Sequence, residues 1–189
     1  WGQAAEPGLR SWPLDKRIAE AKKLLSEAGY NESHPLRFNL LYNTSESHQR
    51  IAIAASSMWK KNLGVDAKLQ NQEWKTMLDT MHTHNFDAVR YAWIADYDDA
   101  ATFLNNFRTG DSENTSQYSN PEYDTKTETA RKTADREEHY RLLHEAEQML
   151  LEDMAMIPIA WQNEFWLQKP ELREPTTLRT ATGTSCTAQ

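Results

Sequence analysis

The chain has 189 residues, of which 28 are acidic and 21 are Lys or Arg, so its formal net charge is −7 at pH 7. This length suffices for one domain with a sizeable core, or for one domain plus pieces of another. An acidic chain without a basic cluster is not expected to bind nucleic acid or an anionic membrane. No apolar stretch approaches the roughly 18 residues that a membrane-spanning helix needs.

The chain begins Trp1-Gly2-Gln3 without a Met, from which we expect a processed or shortened piece of a longer protein. Cys186 is the single cysteine in the sequence. One chain therefore cannot form a disulfide framework or a cysteine-based zinc site.

Helix and strand patterns alternate in the first half of the chain. Apolar residues recur at helical spacing in three segments and in strand-like runs between them. Ser45 is the expected N-cap of the second helix, and Gly29 and Gly64 are expected helix stops. The predicted elements are a helix over 15–28, a strand over 36–42, a helix over 46–63, a strand over 65–70, a short helix over 74–81 and a strand over 86–93. This order predicts an α/β fold of β-α-β units with a parallel sheet.

The second half is predicted to be helical and then to change character. A capping box at Asp135 begins a helix that runs to about Met154. His139 and His144 lie five residues apart on it and are interpreted as part of a solvated face. Two strands are predicted over 157–161 and 165–167. The Thr-rich residues 170–189 contain few large apolar side chains and are expected to form a disordered tail.

The most informative segment is the one in which a strand runs directly into acids. Phe86 to Asp98 joins an apolar strand pattern to Arg90, Trp93 and three aspartates. A carboxylate at the carboxyl edge of a sheet beside aromatic rings is well placed to pair with a ligand ammonium group. The alternative is that Asp96, Asp98 or Asp99 caps the helix that follows.

Residues far apart in sequence are expected to meet at one edge of this sheet. Right-handed crossovers bring the carboxyl ends of the strands at 36–42 and 86–93 to a common edge, where ligands bind in open α/β sheets. Asn43, the first helical turn containing His48, and the run from Arg90 to Asp96 should therefore lie together.

Catalysis is not expected of this chain. The sequence contains no nucleophile motif, phosphate-binding loop or paired acid and base, and no cofactor is indicated. His82 and His84 have a spacing that is found in metal sites, but no carboxylate or thiol series completes a ligand shell. We therefore predict neither an enzyme nor a metal site.

Several blocks of sequence, in order, closely resemble bacterial periplasmic oligopeptide-binding proteins of extracytoplasmic solute-binding protein family 5. Within that family the match is to the peptide-transport receptor and its murein-peptide-binding relative. The resemblance extends from about residue 15 to Pro158. It is carried by the blocks 21–30, 40–45, 59–65, 71–76 and 95–97.

The resemblance implies the carboxyl-terminal lobe of a two-lobed periplasmic receptor from a Gram-negative bacterium. Such receptors close over a short peptide and deliver it to the permease of an ABC importer. The implied organisation is a lead-in segment over 1–14, an α/β lobe over 15–155, return strands of the absent lobe over 156–169 and the tail over 170–189. The return strands could also pair between two copies of the chain.

The resemblance also implies roles for individual residues. Asp96 matches the acid that pairs with the peptide α-ammonium group, and Arg90 and His48 match basic positions that help to neutralise the peptide carboxyl terminus. The segment 91–94 matches a strand-like partner for the peptide backbone. The remaining implied contacts are Trp74, Trp93 and Asn43, which line side-chain compartments, and Ala92 and Ile94, which flank Trp93.

One departure and two alternatives qualify this interpretation. Met81 stands where the close relatives carry an Arg near the peptide carboxyl terminus, so the preferred peptide length can differ. The first alternative cargo is murein tripeptide, whose unusual linkage places its free charges differently. The second alternative is a structural or interaction module in which the acids and tryptophans serve packing, with the Asp96 carboxylate turned away from the sheet edge.

Overall fold

The computed structural model describes residues 11–161 and 182–188. Within these ranges the helices and strands follow the alternation expected from the sequence through the first half of the chain. In chain order the elements are α1 (Leu14–Glu27), β1 (Arg37–Asn43), α2 (Glu46–Leu63), β2 (Asp66–Gln72), α3 (Trp74–His82), β3 (Ala88–Ile94), α4 (Ala101–Leu104), a 3-10 turn (Asn105–Phe107), α5 (Pro121–Lys132), α6 (Arg136–Glu152), β4 (Met156–Trp161) and β5 (Thr182–Ala188).

The strands form one mixed sheet in the order β2-β1-β3-β5-β4. β1 is parallel to both β2 and β3, while β5 runs antiparallel to β3 and to β4. The α/β class and the parallel β-α-β arrangement of the first three strands are therefore confirmed.

Local chemistry explains how β1 and β3 find their register. The Asp87 carboxylate, just before β3, accepts hydrogen bonds of 2.8 Å from both the backbone N–H and the side-chain amide of Asn39. This contact aligns Leu40 with Ala88. Gly64 ends α2 in the left-handed conformation, at φ 74°, which a residue without a Cβ adopts at little cost.

Each face of the parallel sheet is covered by one helix, and alternate strand residues supply the two cores. Leu40, Tyr42 and Ala88 face α2 and pack against Ala52 of that helix. Val89 and its neighbours face α3. The second core consists of Leu41, Met77, Met81, Phe86 and Val89.

A third core lies among α4, α5 and α6. The sequence patterns gave no bounds for α4 or α5, because α4 has only four residues and α5 is mostly polar. Tyr123 of α5 is fully buried, and its hydroxyl donates a hydrogen bond to the Leu104 carbonyl at the end of α4. The core residues are Leu104, Tyr123, Ala130, Leu142, Leu143, Ala146, Leu150 and Ala155.

The end of the chain differs from expectation. Residues 182–188, expected in a disordered tail, form β5, which lies between β3 and β4. β4 matches the strand predicted over 157–161, and it joins the sheet of the α/β lobe through β5. The strand predicted over 165–167 lies outside the described residues. The boundaries assigned to the lobe, the return strands and the tail stay a prediction.

Among the described residues, no helix combines the length and the apolar character needed to cross a lipid bilayer.

Candidate functional site

β3 has an open backbone edge near its carboxyl end. β5 pairs with β3 over the whole length from Ala88 to Ile94, but the pairing with β1 on the other side is confined to Ala88 and Val89. β1 itself ends at Asn43. In the described part of the chain, the β1 side of residues 92–94 therefore has no strand neighbour, and an extended ligand could pair there.

Buried polar atoms without partners gather around this edge. Among the described residues, the buried side-chain atoms without a hydrogen-bond partner include Asn43 Oδ1, His48 Nδ1, Gln72 Oε1 and Trp93 Nε1. Asn43 and Gln72 end β1 and β2 and are register partners, so their side chains share one face of the sheet. Buried polar groups are normally hydrogen-bonded, and such a group of exceptions is typical of a ligand site.

The basic residues of the site lie on the α2 face. Arg90 is buried at 4% exposure although it carries a charge. Its guanidinium lies close enough to His48 to act on the imidazole electrostatically. Burial first, and the positive charge of Arg90 second, lower the pKa of His48, while the backbone of Asn43 partly opposes them. His48 is therefore biased toward the neutral form in this structure.

The aromatic residues of the site form a row on the α3 face. Trp74, the first residue of α3, stacks on Tyr91 with ring centroids 6.1 Å apart and planes 9° apart. Tyr91 in turn meets Trp93 at 6.4 Å with a tilt of 53°. Burial, and then the charge of Glu113, raise the pKa of Tyr91. Trp74 remains 45% exposed, so the row offers an apolar surface to a ligand.

Asp96 lies in the loop between β3 and α4, and its side chain is anchored locally. The Thr102 hydroxyl accepts a hydrogen bond of 3.0 Å from the Asp96 backbone N–H and donates one of 3.2 Å to the Asp96 carboxylate. Thr102 is buried, whereas Asp96 is exposed. The helix-capping role falls to Asp99, which accepts a 2.8 Å hydrogen bond from the Ala101 N–H.

The expected residues thus meet only in part. Asn43, His48 and Arg90 come together where β1 ends. Asp96 comes two residues after the end of β3, and Ile94 already lies about 13 Å along the strand from Arg90, at roughly 3.3 Å per residue. No hydrogen bond or ion pair among the described residues joins Asp96 to Asn43 or His48. Arg90 in β3 and Asp96 just after β3 are therefore two separate charged sites.

The remaining expected residues lie along the same strand. Ala92 is half-buried and Ile94 is 57% exposed, on either side of Trp93. Met81 is buried at 1% exposure in the core beneath α3. A thioether in that position packs well but offers no charge to a ligand.

His139 does not belong to a solvated face, and the interpretation of it as part of one is wrong. Its side chain is 18% exposed and both ring nitrogens are engaged. Nε2 lies 2.9 Å from Asp99 Oδ2, and Nδ1 lies 2.9 Å from the Ala130 carbonyl oxygen. His144, by contrast, is 50% exposed in its side chain and lies 3.7 Å from Glu147.

Sequence reasoning gave no side-chain role in this region to four residues: Gln72, Tyr91, Thr102 and His139. Gln72 could have been found, because it ends a parallel strand at the same edge as Asn43. Tyr91 could have been found from the alternation that gives it the same face as Trp93. The contacts of Thr102 and His139 depend on tertiary packing, and no local pattern indicates them.

A cavity of approximately 490 Å³ lies between the end of α3 and the loop over 108–119. Its lining includes His82, His84 and Asp111, and none of the expected site residues. In the described ranges, no group of three or more His, Cys, Asp or Glu side chains is placed to hold a metal ion.

The family assignment rests on a match to the model of bacterial extracellular solute-binding proteins, family 5 Middle, over residues 2–115. The chain therefore belongs to this non-enzymatic family of solute-binding proteins. One curated relative and two solved structures show which members of this family the chain is similar to.

The periplasmic oligopeptide-binding protein OppA of Escherichia coli is 47% identical to this chain over 165 residues, which are 87% of the chain and 30% of OppA. A crystal structure of Haemophilus influenzae OppA in complex with the peptide RPPGFSPFR is 44% identical, with a TM-score of 0.76 over 78% of this chain and 29% of that one. The unliganded open form of the periplasmic murein tripeptide-binding protein MppA has a TM-score of 0.79 at 37% identity, over 99% of this chain and 32% of MppA. The chain spans about three tenths of the length of these relatives.

Proposed function

We propose that this chain is part of a periplasmic receptor that binds short peptides and presents them to the permease of an ABC importer. The observation that carries the proposal is the set of buried, unpartnered polar atoms beside the open edge of β3. The family membership, the periplasmic location in the names of its relatives and the peptide bound to the Haemophilus protein support the same ligand class.

The backbone of residues 91–94 is the proposed partner of the peptide backbone. Its β1 side is open among the described residues, and its β5 side is paired. Backbone N–H and C=O groups are common to all peptides, so pairing here binds them irrespective of sequence. Ala92 and Ile94 flank Trp93 in this segment.

The charged ends of the peptide are assigned to the two charged sites, at Arg90 in β3 and at Asp96 just after it. Asp96 pairs with the α-ammonium group, and Arg90 with His48 helps to neutralise the carboxylate. The separation of about 13 Å between Arg90 and Ile94 equals the rise of about four extended residues. A peptide of a few residues would therefore reach both charged sites.

The peptide side chains are assigned to the aromatic row and to the polar atoms beside it. Trp74 and Trp93 form walls that accept varied side chains, and Asn43 contributes an amide oxygen to the same face. Aromatic walls provide apolar contact area without requiring one particular shape of side chain. Ordered water completes the hydrogen bonds that a given side chain leaves unmade.

The test is calorimetry on the full-length protein with Ala-Ala-Ala and with its N-acetylated form. We expect Asp96→Asn to weaken binding of Ala-Ala-Ala more than tenfold, because it removes the charge that faces the ammonium group. N-acetylation should weaken binding to the unaltered protein by a similar factor, and the variant should no longer distinguish the two ligands.

Asp98→Asn is the matched control, because Asp98 is an exposed acid in the same loop. It should leave the affinity unchanged. An Asp96→Asn variant that binds Ala-Ala-Ala as tightly as the unaltered protein would remove Asp96 from the site. That outcome would favour the alternative in which the acids and tryptophans serve packing only.

Murein tripeptide is the second candidate ligand, and the similarity to MppA favours it specifically. Competition between murein tripeptide and Ala-Ala-Ala on the same protein decides between them. A receptor for ordinary peptides should release Ala-Ala-Ala only at high concentrations of the murein ligand.

A further inference from the structure

His139 connects three parts of the molecule through hydrogen bonds that require a proton on each ring nitrogen. Nδ1 faces the Ala130 carbonyl oxygen at the end of α5, and Nε2 faces the Asp99 carboxylate in the loop after β3, each at 2.9 Å. A carbonyl and a carboxylate only accept hydrogen bonds. Both contacts are therefore satisfied together only when His139 is an imidazolium that donates from both nitrogens.

Asp99 transmits this contact to the loop that carries Asp96. Its other carboxylate oxygen accepts from the Ala101 N–H, and its carbonyl accepts from the Thr102 N–H at 3.3 Å. Thr102 in turn holds both the backbone N–H and the carboxylate of Asp96. An unbroken series of hydrogen bonds thus runs from α5 and α6 through His139 to Asp96.

The geometry points to His139 as a positioning residue that, when protonated, fixes the loop over 95–102 and thereby the Asp96 carboxylate. This inference rests on the proposed function only in its last step, the binding of a ligand ammonium group by Asp96. The series of hydrogen bonds exists without ligand. His139 acts through Asp99 and Thr102 and does not touch the ligand itself.

The groups that face His139 favour its charged form. Asp99 faces it from the loop and Ala130 from α5. On α6 its neighbour Tyr140 meets it in a T-shaped ring contact, and Arg136, a cation that does not favour the charged form, lies over the Tyr140 ring. The Ala130 carbonyl first, and then the hydrogen bond and charge of Asp99, raise the pKa of His139, and desolvation opposes them.

The sign of the pH dependence follows from the raised pKa. The folded state holds the proton more tightly than the unfolded chain, whose His has a pKa of about 6.5. The contribution of the contact is fully present below that value and is lost as the pH rises through the higher pKa of the folded state. The loop should therefore be fixed below pH 6.5 and loosened once the pH exceeds the raised pKa of His139.

The first test needs no ligand and uses the full-length protein. The imidazole of His139, identified by its loss in His139→Gln, should titrate above pH 6.5 by NMR, and Asp99→Asn should lower its pKa. The amide protection factors of residues 95–102 should fall severalfold from pH 5.5 to a pH one unit above the His139 titration measured by NMR. They should be low at both values in His139→Gln and high at both in His139→Arg, whose permanent cation also donates two hydrogen bonds.

The second test measures calorimetrically the affinity for Ala-Ala-Ala amide, which keeps the ammonium group and lacks the carboxylate that His48 and Arg90 would meet. The affinity of the unaltered protein should fall severalfold between the same two pH values relative to His139→Arg, which experiences the same titration of the ligand. His139→Gln should bind weakly at both values. His144→Gln is the control, because His144 is exposed on the same helix, and it should match the unaltered protein.

The outcomes separate this inference from the proposed function. If the protection of residues 95–102 is independent of pH, or if Asp99→Asn leaves the His139 titration unchanged, the positioning role is overturned. If Asp96→Asn weakens binding but the His139 variants do not, the role is also overturned and the peptide site stands. If the ligand-free results are as expected but Asp96→Asn does not affect binding, the His139 contact stands and the assignment of Asp96 to the ligand ammonium group fails.

Discussion

Trp93 presents a buried indole N–H that has no acceptor among the described residues. Because an indole N–H only donates, a ligand carbonyl or a water at this position would satisfy it. We expect Trp93→Phe to keep the ring contact with Tyr91 and to lose this hydrogen bond. A net loss of about 1 kcal/mol corresponds to roughly a fivefold weaker binding of Ala-Ala-Ala by the full-length protein, measured by calorimetry.

Trp59→Phe is the control for that substitution. Trp59 packs against Phe38 in the core beneath α2, away from the open edge of β3. The Trp59→Phe substitution should lower the free energy of unfolding without changing the affinity for Ala-Ala-Ala. Equal affinities of Trp93→Phe and the unaltered protein would show that the indole N–H donates nothing to the ligand.

The lowered pKa of His48 in the free protein predicts that ligand binding takes up protons. The His48 pKa is lowered chiefly by burial and secondarily by Arg90, so the ring is biased toward the neutral form in the free protein. A ligand carboxylate that arrives beside Arg90 and His48 would favour the imidazolium and raise this pKa. Binding of Ala-Ala-Ala should therefore take up a fraction of a proton near pH 6, and affinity should rise as the pH falls.

Proton uptake is measured by calorimetry in two buffers with different ionisation enthalpies. The uptake should be smaller for Ala-Ala-Ala amide, which brings no carboxylate. It should also be smaller in His48→Gln. Equal uptake for the acid and the amide would place the peptide carboxylate away from His48.

At the scale of single residues, sequence reasoning succeeded where a rule of parallel sheets applies. Asn43 and Arg90 were assigned to one edge because parallel strands end together, and in the structure Arg90 and the Asn43 backbone both act on His48. Their role in binding stays a prediction. The link from Thr102 to Asp96 and the link from His139 to Asp99 were not predictable. The latter joins residues 40 positions apart, and only the packing of α6 against the loop decides which histidine of that helix is buried.

At the scale of elements, α2 and α5 differ in how their first turns are capped. The Asn120 side chain accepts hydrogen bonds from the N–H groups of Glu122 and Tyr123, and it donates one of 3.0 Å to Asp153. Ser45 is the N-cap of α2, as predicted, but its side chain makes no cap hydrogen bond. Instead its hydroxyl lies 3.0 Å from that of Ser47.

We expect Asn120→Ala to destabilise the start of α5 by about 1 kcal/mol, because a cap that accepts from the first-turn amides is lost. Amide hydrogen exchange should show roughly fivefold lower protection in α5. Ser45→Ala should leave the protection of α2 nearly unchanged. If both substitutions had the same effect, the difference in capping would not matter energetically.

Element types were predictable where apolar periodicity is strong. α2 occupies the predicted range, and β1 to β3 lie within about two residues of theirs. No bounds were predicted for α4 and α5, because α4 has four residues and α5 is polar on most of its surface. Residues 182–188 were predicted to be disordered from composition. They pair between two strands instead, and composition does not contain information about such partners.

At the scale of the whole molecule, several apolar side chains remain exposed on the outer strand and on the first helix. Ile157 and Ile159 of β4 are 45% and 38% exposed, and β4 is the edge strand beyond β5. Leu14 and Leu24 of α1 are more than half exposed. Such an edge can pair with another strand. Self-association through it therefore stays a prediction, which light scattering on the isolated chain would test.

The affinity of the isolated 189-residue chain is the last expectation. Its two charged sites differ in burial, since Arg90 is buried and Asp96 is exposed. An ion pair left in water contributes on the order of 1 kcal/mol or less, and a two-lobed receptor gains most of its affinity by enclosing the ligand. We expect Ala-Ala-Ala to bind the isolated chain with a Kd of about 1 mM or weaker, equivalent to about −4 kcal/mol.

The full-length protein should bind the same ligand at least a hundredfold more tightly, because water is then excluded from Asp96 and from the open edge of β3. Calorimetry on both proteins in one buffer provides the comparison, and circular dichroism establishes that the isolated chain is folded. Micromolar binding by the isolated chain would mean that this segment encloses the ligand by itself. In that case the open edge and the aromatic row, rather than closure of a second lobe, would supply most of the binding free energy.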